Sequence, residues 1–254
     1  MKLLFCSALV FLSLASNAQA PTAAPIPGEP HHHLKIDNEY VRAYYVEVPP
    51  HGETQLHQHD HDYVYIALGD SEVINAVVDK PEMHLTLKDG ETHFTRGGFA
   101  HVARNLSDKP FRNVTIEVLK PQGEPHNLCE KVIDGPLAGC SSDFSKLPPN
   151  SPIIALAQAM RQTRLFETDE ILMTSFSIAL KENYSETGSR PAQLLIVGDK
   201  SELQVQRPGE PSMTLHAGDL LWLDAGKQWT IVTPGEHKVS RFFLIKFKDA
   251  VKTP

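Results

Sequence analysis

His57, His59 and His61 stand on alternate residues just before an apolar run, and His101 follows inside Gly90-x5-Arg96-x-Gly98-x2-His101-x3-Asn105. Side chains at alternate positions leave one face of a strand, so if residues 57–61 are extended, the three rings point the same way. His101 must then come from another strand folded against the first. Imidazole suits zinc, iron, copper and nickel, and three such ligands with an open position make a catalytic rather than a structural site.

The elements that would hold these rings are strands. From Glu39 to Leu119, β-branched and aromatic runs alternate with Gly and Pro turn signals: Tyr40 to Val48, Tyr63 to Leu68, Ser71 to Val78, Met83 to Leu87, His101 to Asn105 and Asn113 to Leu119. Pro121 to Asn150 is richer in Pro, Gly, Ser and Cys and reads as a connector. Ser151-Pro152 then offers an N-cap and a first-turn proline, with an amphipathic stripe running to about Leu165, so one helix is expected there. The β rhythm returns in Ile171 to Leu180, Gln193 to Val197, Glu202 to Gln206, Leu220 to Leu223 and Phe242 to Phe247. This second half repeats the first: Gly218-x5-Asp224-x-Gly226-x2-Trp229-x3-Thr233 keeps the spacing around His101, with Trp229 in its place. Counting back from Gly198 as from Gly69 puts Glu186 and Gly188 at the positions of His57 and His59. The repeat keeps the turns and loses the ligands.

Met1-Lys2, an apolar stretch from Leu3 to about Leu14 and Ser16 to Ala20 have the layout of a cleaved secretory signal, about a dozen apolar residues being too few for a spanning helix. A periplasmic or secreted protein, free of the membrane after cleavage, is expected. Losing Lys2 with the signal takes the net charge from −7 to −8, and no basic cluster exists, which argues against a nucleic-acid partner. Cys129 and Cys140 remain in the exported chain, where a disulfide is expected and two small buried thiols are the alternative.

The pair Gly52-x4-His57-x-His59-x3-Tyr63-x5-Gly69 and Gly90-x5-Arg96-x-Gly98-x2-His101-x3-Asn105 resembles the two signature motifs of the cupin superfamily. The resemblance implies an all-β fold of two cupin-type antiparallel β-barrels (double-stranded β-helix or jelly roll) joined by a short helical connector, a bicupin whose second barrel is degenerate. The implied organisation is a signal at 1–20, a metal-binding barrel at 31–120, a linker with the cysteines and a helix at 121–168, and the degenerate barrel at 169–250. Family members place two histidines and a glutamate in the first motif and one histidine in the second, around one divalent metal. Carried over, His57, His59 and His101 are the ligands, Tyr63 stands at the glutamate position, and Arg96 replaces a proline. Three neutral imidazoles would leave the ion its full charge and favour an anionic ligand.

His61 and Tyr63 share the inward parity of His57 and His59, so His61 is a candidate extra ligand and Tyr63 a hydrogen-bond partner or phenolate ligand. Asn105 and Arg96 are candidates for contacting substrate. His31, His32 and His33 read as surface or barrel-edge packing, His84 and His93 as packed or exposed residues, and Trp229 as core filling. The implied activity is a metal-dependent, dioxygenase-like oxidoreductase acting on a small molecule, with Fe(II) favoured and manganese, nickel, copper or zinc as alternatives. A non-catalytic metal- or ligand-binding protein and a metal-dependent isomerase are the other function classes. Either a monomer or a homodimer is compatible.

Overall fold

The computed structural model describes residues 22–123, 131–133, 139–141, 162–180, 182–186, 190–234 and 239–248. They form four β-sheets, paired into two units in sequence order. In the first unit one sheet runs Ala24–Pro25, His57–His59, Phe99–Asn105, Ser71–Val77 and Met83–Leu87. The facing sheet runs Lys131–Ile133, Gly139–Ser141, Thr92–Thr95, Tyr63–Ala67, Phe111–Val118, Val41–Val48 and His32–Asp37. In the second unit, Asn183–Tyr184, Thr230–Val232, Glu202–Gln206 and Met213–His216 face Leu220–Leu223, Gln193–Val197, Val239–Phe247, Ile171–Ala179 and Gln162–Glu167. The extra edge strands of the first unit aside, the two halves have the same strand order, so the repeat read from glycine spacing is a repeat of topology.

The two larger sheets lie back to back. Val64, Ile66, Val114 and Ile116 of one meet Leu194, Ile196, Phe243 and Ile245 of the other in a single buried cluster. Tyr65 and Ala67 turn instead into the first unit's interior, and Leu195 and Val197 into the second's. Two-sided burial explains why Gln193–Val197 is buried at every position and lacks a polar alternation. Arg112 with Asp199 (2.9 Å) and Arg241 with Asp89 (2.5 Å) pair across the rim of this contact.

Most strands sit where the residue pattern places them, and Met83–Leu87, Gln193–Val197, Glu202–Gln206 and Leu220–Leu223 match to the residue. Two expectations are corrected. Gln162–Glu167 is a strand paired with Ile171–Ala179, so the helix read to Leu165 does not extend that far; residues 151–161 lie outside the described residues. The connector also carries order, because Gly139–Ser141 pairs with Thr92–Thr95 and extends the first unit's sheet. The export signal at 1–20 lies outside the described residues, as does the Cys129–Cys140 pair through Cys129.

Candidate metal centre

His57 and His101 are direct cross-strand partners, and alternation sends His57 and His59 inward while Gln58 faces out. The turn before His101 permits this pairing. A Cβ on Gly97 would lie 2.5 Å from the His61 carbonyl, and Gly98 has φ +88°, a conformation that glycine adopts without strain. Gly97 therefore serves the close approach of one motif to the other, and Gly98 the turn itself. The His57 ring centroid is 4.4 Å from that of His101 and 5.2 Å from that of His59, and His59 to His101 is also 5.2 Å.

A fourth ring completes the group. His32, first residue of its strand on the opposite sheet, lies 4.7 Å from His57 and 6.3 Å from His59, with its side chain only 5 % exposed. One ligand nitrogen from each of His32, His57 and His59 lies within 4.8 Å of the others. His32 was expected to be surface or edge packing, and the structure corrects this. His31 and His33, its neighbours, stay at the edge of the sheet, partly or fully exposed. The signal that could have found His32 is Glu29, three residues earlier. Its buried carboxylate accepts the His32 Nδ1–H at 2.6 Å and the backbone N–H groups of His31 and Gln55 at 2.8 and 3.0 Å. Burial would raise the Glu29 pKa, but His32 and these backbone donors outweigh it and hold the group at about 2.

Three rings are held by their Nδ1 atoms. His32 donates to Glu29. His57 sits 2.9 Å from the Gln55 carbonyl, which can only accept, and His101 sits 2.5 Å from Asn75 Oδ1. The Nε2 atoms of His57 and His101 are then buried acceptors with no hydrogen-bond partner, and the buried Nδ1 of His59, 3.9 Å from Glu117 Oε1, has no hydrogen-bond partner either. Burial keeps all three uncharged: it takes His57 down to about 4 and pushes His59 and His101 well below the ordinary histidine value, with neighbouring imidazoles adding to the effect. Buried polar atoms are ordinarily satisfied, so converging lone pairs without partners need an occupant. A transition-metal ion fits this donor set. Tetrahedral nitrogens about 2.1 Å from one ion lie about 3.4 Å apart, so the nitrogens of His32, His57 and His59, now within 4.8 Å of one another, would draw in by about an ångström around a metal. Nδ1–H groups anchored on carboxylate and carbonyl oxygens are the usual outer support of such ligands.

The other candidates divide. Tyr63 stacks on His59 at 4.0 Å and 18°, buried, and burial drives its pKa above the ordinary tyrosine value. His61 sits in the bend after His59, half-buried and outside the cavity lining. Arg96 is not aimed at the cavity either: its guanidinium donates to Asp62 Oδ2 and to the carbonyls of Gln122 and Gly123, at 2.7–2.8 Å, which fastens the turn. Asn105 caps a loop, its amide donating to the carbonyls of Val48, Pro49 and Lys109. The asparagine that serves the site is Asn75, at an inward position of Ser71–Val77.

No family model and no curated protein sequence matches the chain. Solved structures do. A Pseudomonas aeruginosa protein named for induction by glyoxylate superposes with a TM-score of 0.57 at 14% identity, covering 87% of this chain and 80% of that one. A cupin 2 conserved barrel domain protein from Leptotrichia buccalis gives 0.51 at 11%, over 85% and 88%. The chain has the cupin fold. Salicylate 1,2-dioxygenase from Pseudaminobacter salicylatoxidans also shares it, with a TM-score of 0.55 at 10% identity over 85% and 75% of the two chains. A variant of that dioxygenase has been solved with gentisate.

Within this cupin fold, the glutamate of the first motif has no counterpart at Tyr63, yet a carboxylate stands one strand away. Glu117 is the direct cross-strand partner of Tyr63 and is buried on the interior face beside Thr115 and Asn113. Burial pushes it up to about 7, with Arg42 opposing and Asp60 adding. A carboxyl raised above its unfolded value of 4.5 stabilises the fold below that pH, and this contribution is lost as pH rises through about 7. Metal-free Glu117→Gln should therefore lose less stability between pH 5 and 8 than the metal-free parent, by on the order of 2 kcal/mol. Urea unfolding at the two pH values measures this; equal losses in both proteins contradict it.

In the second cupin unit, Asn183 pairs with Val232 and Tyr184 with Ile231, and Glu186 and Trp229, two residues beyond this last pair, line one pocket together. These are the positions matched to His57 and His101. Glu186 is bound to Lys246, Tyr184 and Gln193, and Trp229 is buried in the apolar cluster, so an ion pair and core packing occupy the place of the metal centre.

Proposed function

We propose that this chain is an exported metalloprotein that holds one divalent transition metal on His32, His57, His59 and His101 and oxidises a small molecule in a dioxygenase-like reaction. The observation that carries the metal reading is the pair of buried, partnerless Nε2 atoms on His57 and His101, beside the imidazoles of His32 and His59. Fe(II) is the favoured ion, with manganese, nickel, copper or zinc as alternatives, because imidazole ligands suit iron, the set leaves positions open, and an oxidation needs a redox-active ion. When bound, the ion supplies Lewis acidity and a place for a chelating substrate and dioxygen to meet.

The chain's own groups do the rest. Glu29, Gln55 and Asn75 fix the tautomers of three ligands. Tyr63 holds the plane of His59 by stacking. Val73, Leu87 and Phe111 line the space over the rings and limit access of water. The dioxygenase neighbour is compatible with oxygen chemistry on this fold, and the apparent secretory signal at 1–20 supports export.

Oxygen uptake by anaerobically iron-loaded protein, mixed with catechols, flavonols, diketones and thiols, tests the activity. The expected result is stoichiometric uptake with one class of substrate. Product formed without oxygen consumption would replace oxidation by isomerisation. Tight iron binding with no turnover across the panel would leave a binding protein.

A further inference from the structure

The cavity over the histidines is apolar on its far side, where Val46, Val73, Leu85, Leu87 and Phe111 face the rings together with Tyr65. Of its polar members, Thr54 and Thr115 are already engaged, and the buried Asn75 Nδ2, which has no partner, stands at the histidine end on the residue that holds His101. Thr54 Oγ1 accepts the Ala103 N–H at 2.9 Å, and Thr115 donates to Asn113 Oδ1 at 2.8 Å. Among the described residues that line it there is no lysine, arginine, aspartate or glutamate. Arg96, a candidate for contacting substrate, is bound to Asp62 and two carbonyls and does not line the cavity.

These surroundings divide the cavity into two chemical zones. At the histidine end, a bound ion can neutralise an ionised donor group. On the apolar wall a second charge would lose its water and gain no partner, a cost that ordinarily excludes it. We infer that the cavity selects a small chelator whose metal-binding end is its only charged part and whose remaining body is uncharged and apolar. This rests on the metal reading above and adds to it the substrate class. A substrate with a carboxylate or phosphate remote from its chelating atoms is rejected.

The test compares two hydroxamates that chelate identically and differ in the tail: butanohydroxamate, and the monohydroxamate of succinic acid, which ends in a carboxylate. Binding of each to the nickel-loaded protein is measured by calorimetry at pH 7, with nickel content determined in the same samples. Butanohydroxamate is expected to bind tighter by about tenfold or more, the penalty of a desolvated unpaired charge. Leu85 lies partly exposed on the edge strand Met83–Leu87, and Leu85→Lys, which puts a cation on the wall, should narrow or reverse this preference. Equal or tighter binding of the carboxylate compound to the parent protein overturns the inference, as does a preference unchanged by Leu85→Lys. Nickel bound without binding of either hydroxamate overturns it too, while leaving the metal centre standing. Absence of nickel overturns the metal reading itself.

Discussion

Replacing His57 and His101 together by alanine is expected to abolish metal binding: the parent retains one ion per chain after gel filtration and the double variant none. These are the rings whose Nε2 atoms have no other use, and each lies within 5.2 Å of His59, centroid to centroid. The effect should also appear in stability. An ion present at a hundredfold excess over its Kd adds about 2.7 kcal/mol to the folded state. At roughly 2–4 °C per kcal/mol for a chain of this size, the parent's melting temperature should rise by about 5–10 °C on metal addition. The variant should show no rise. Its metal-free fold should survive, because the large apolar clusters between and within the units contain neither residue. A metal-dependent rise in the double variant equal to the parent's would place the ion elsewhere.

His32→Ala and Glu29→Gln are expected to weaken the metal in graded fashion, while His61→Ala leaves it unchanged. Glu29 holds the Nδ1–H of His32 from behind, and loss of such an outer partner ordinarily costs about 10–100-fold in affinity. Removing His32 itself should cost at least as much, since a ligand and its support go together. Competition with a chromogenic chelator reads all three variants. Metal affinity unmoved by His32→Ala, or lost on His61→Ala, would return the centre to the set suggested by strand parity alone.

That contrast shows which parts of the site were legible in the residues. His57, His59 and His101 were, because alternation in a strand and the glycine-bounded turn place them by spacing. His32 was not. It opens a strand whose other side chains are mostly exposed and whose register shifts between Leu34 and Ile36, so no periodicity marks it as inward. Arg96 and Asn105 failed for a related reason: their roles are fixed by loops, Asp62 and the Gln122–Gly123 carbonyls in one case and the carbonyls of Val48, Pro49 and Lys109 in the other. Spacing motifs do not encode such contacts. Asn75 was available as the polar residue at an inward position between Val73 and Val77, a place where a buried amide needs a partner.

The fold was more legible than the site. Turn glycines and β-branched runs recur in both halves, and sheets buried on one or both faces leave patterns that survive the loss of ligands. The expected helix failed at Gln162–Leu165, where pairing with Ile171–Ala179 overrode an amphipathic stripe. In the second unit, Glu186 and Trp229 were placed by counting alone, and they lie two residues beyond the Tyr184–Ile231 pair and line one pocket together.

Anomalous diffraction from crystals of the iron- or nickel-loaded protein tests the four-histidine centre most directly. Expected is one peak per chain, within bonding distance of nitrogens from His32, His57, His59 and His101, and none near Glu186 and Trp229. A peak lying elsewhere, or coordination that leaves out His32 and either His57 or His101, would contradict it.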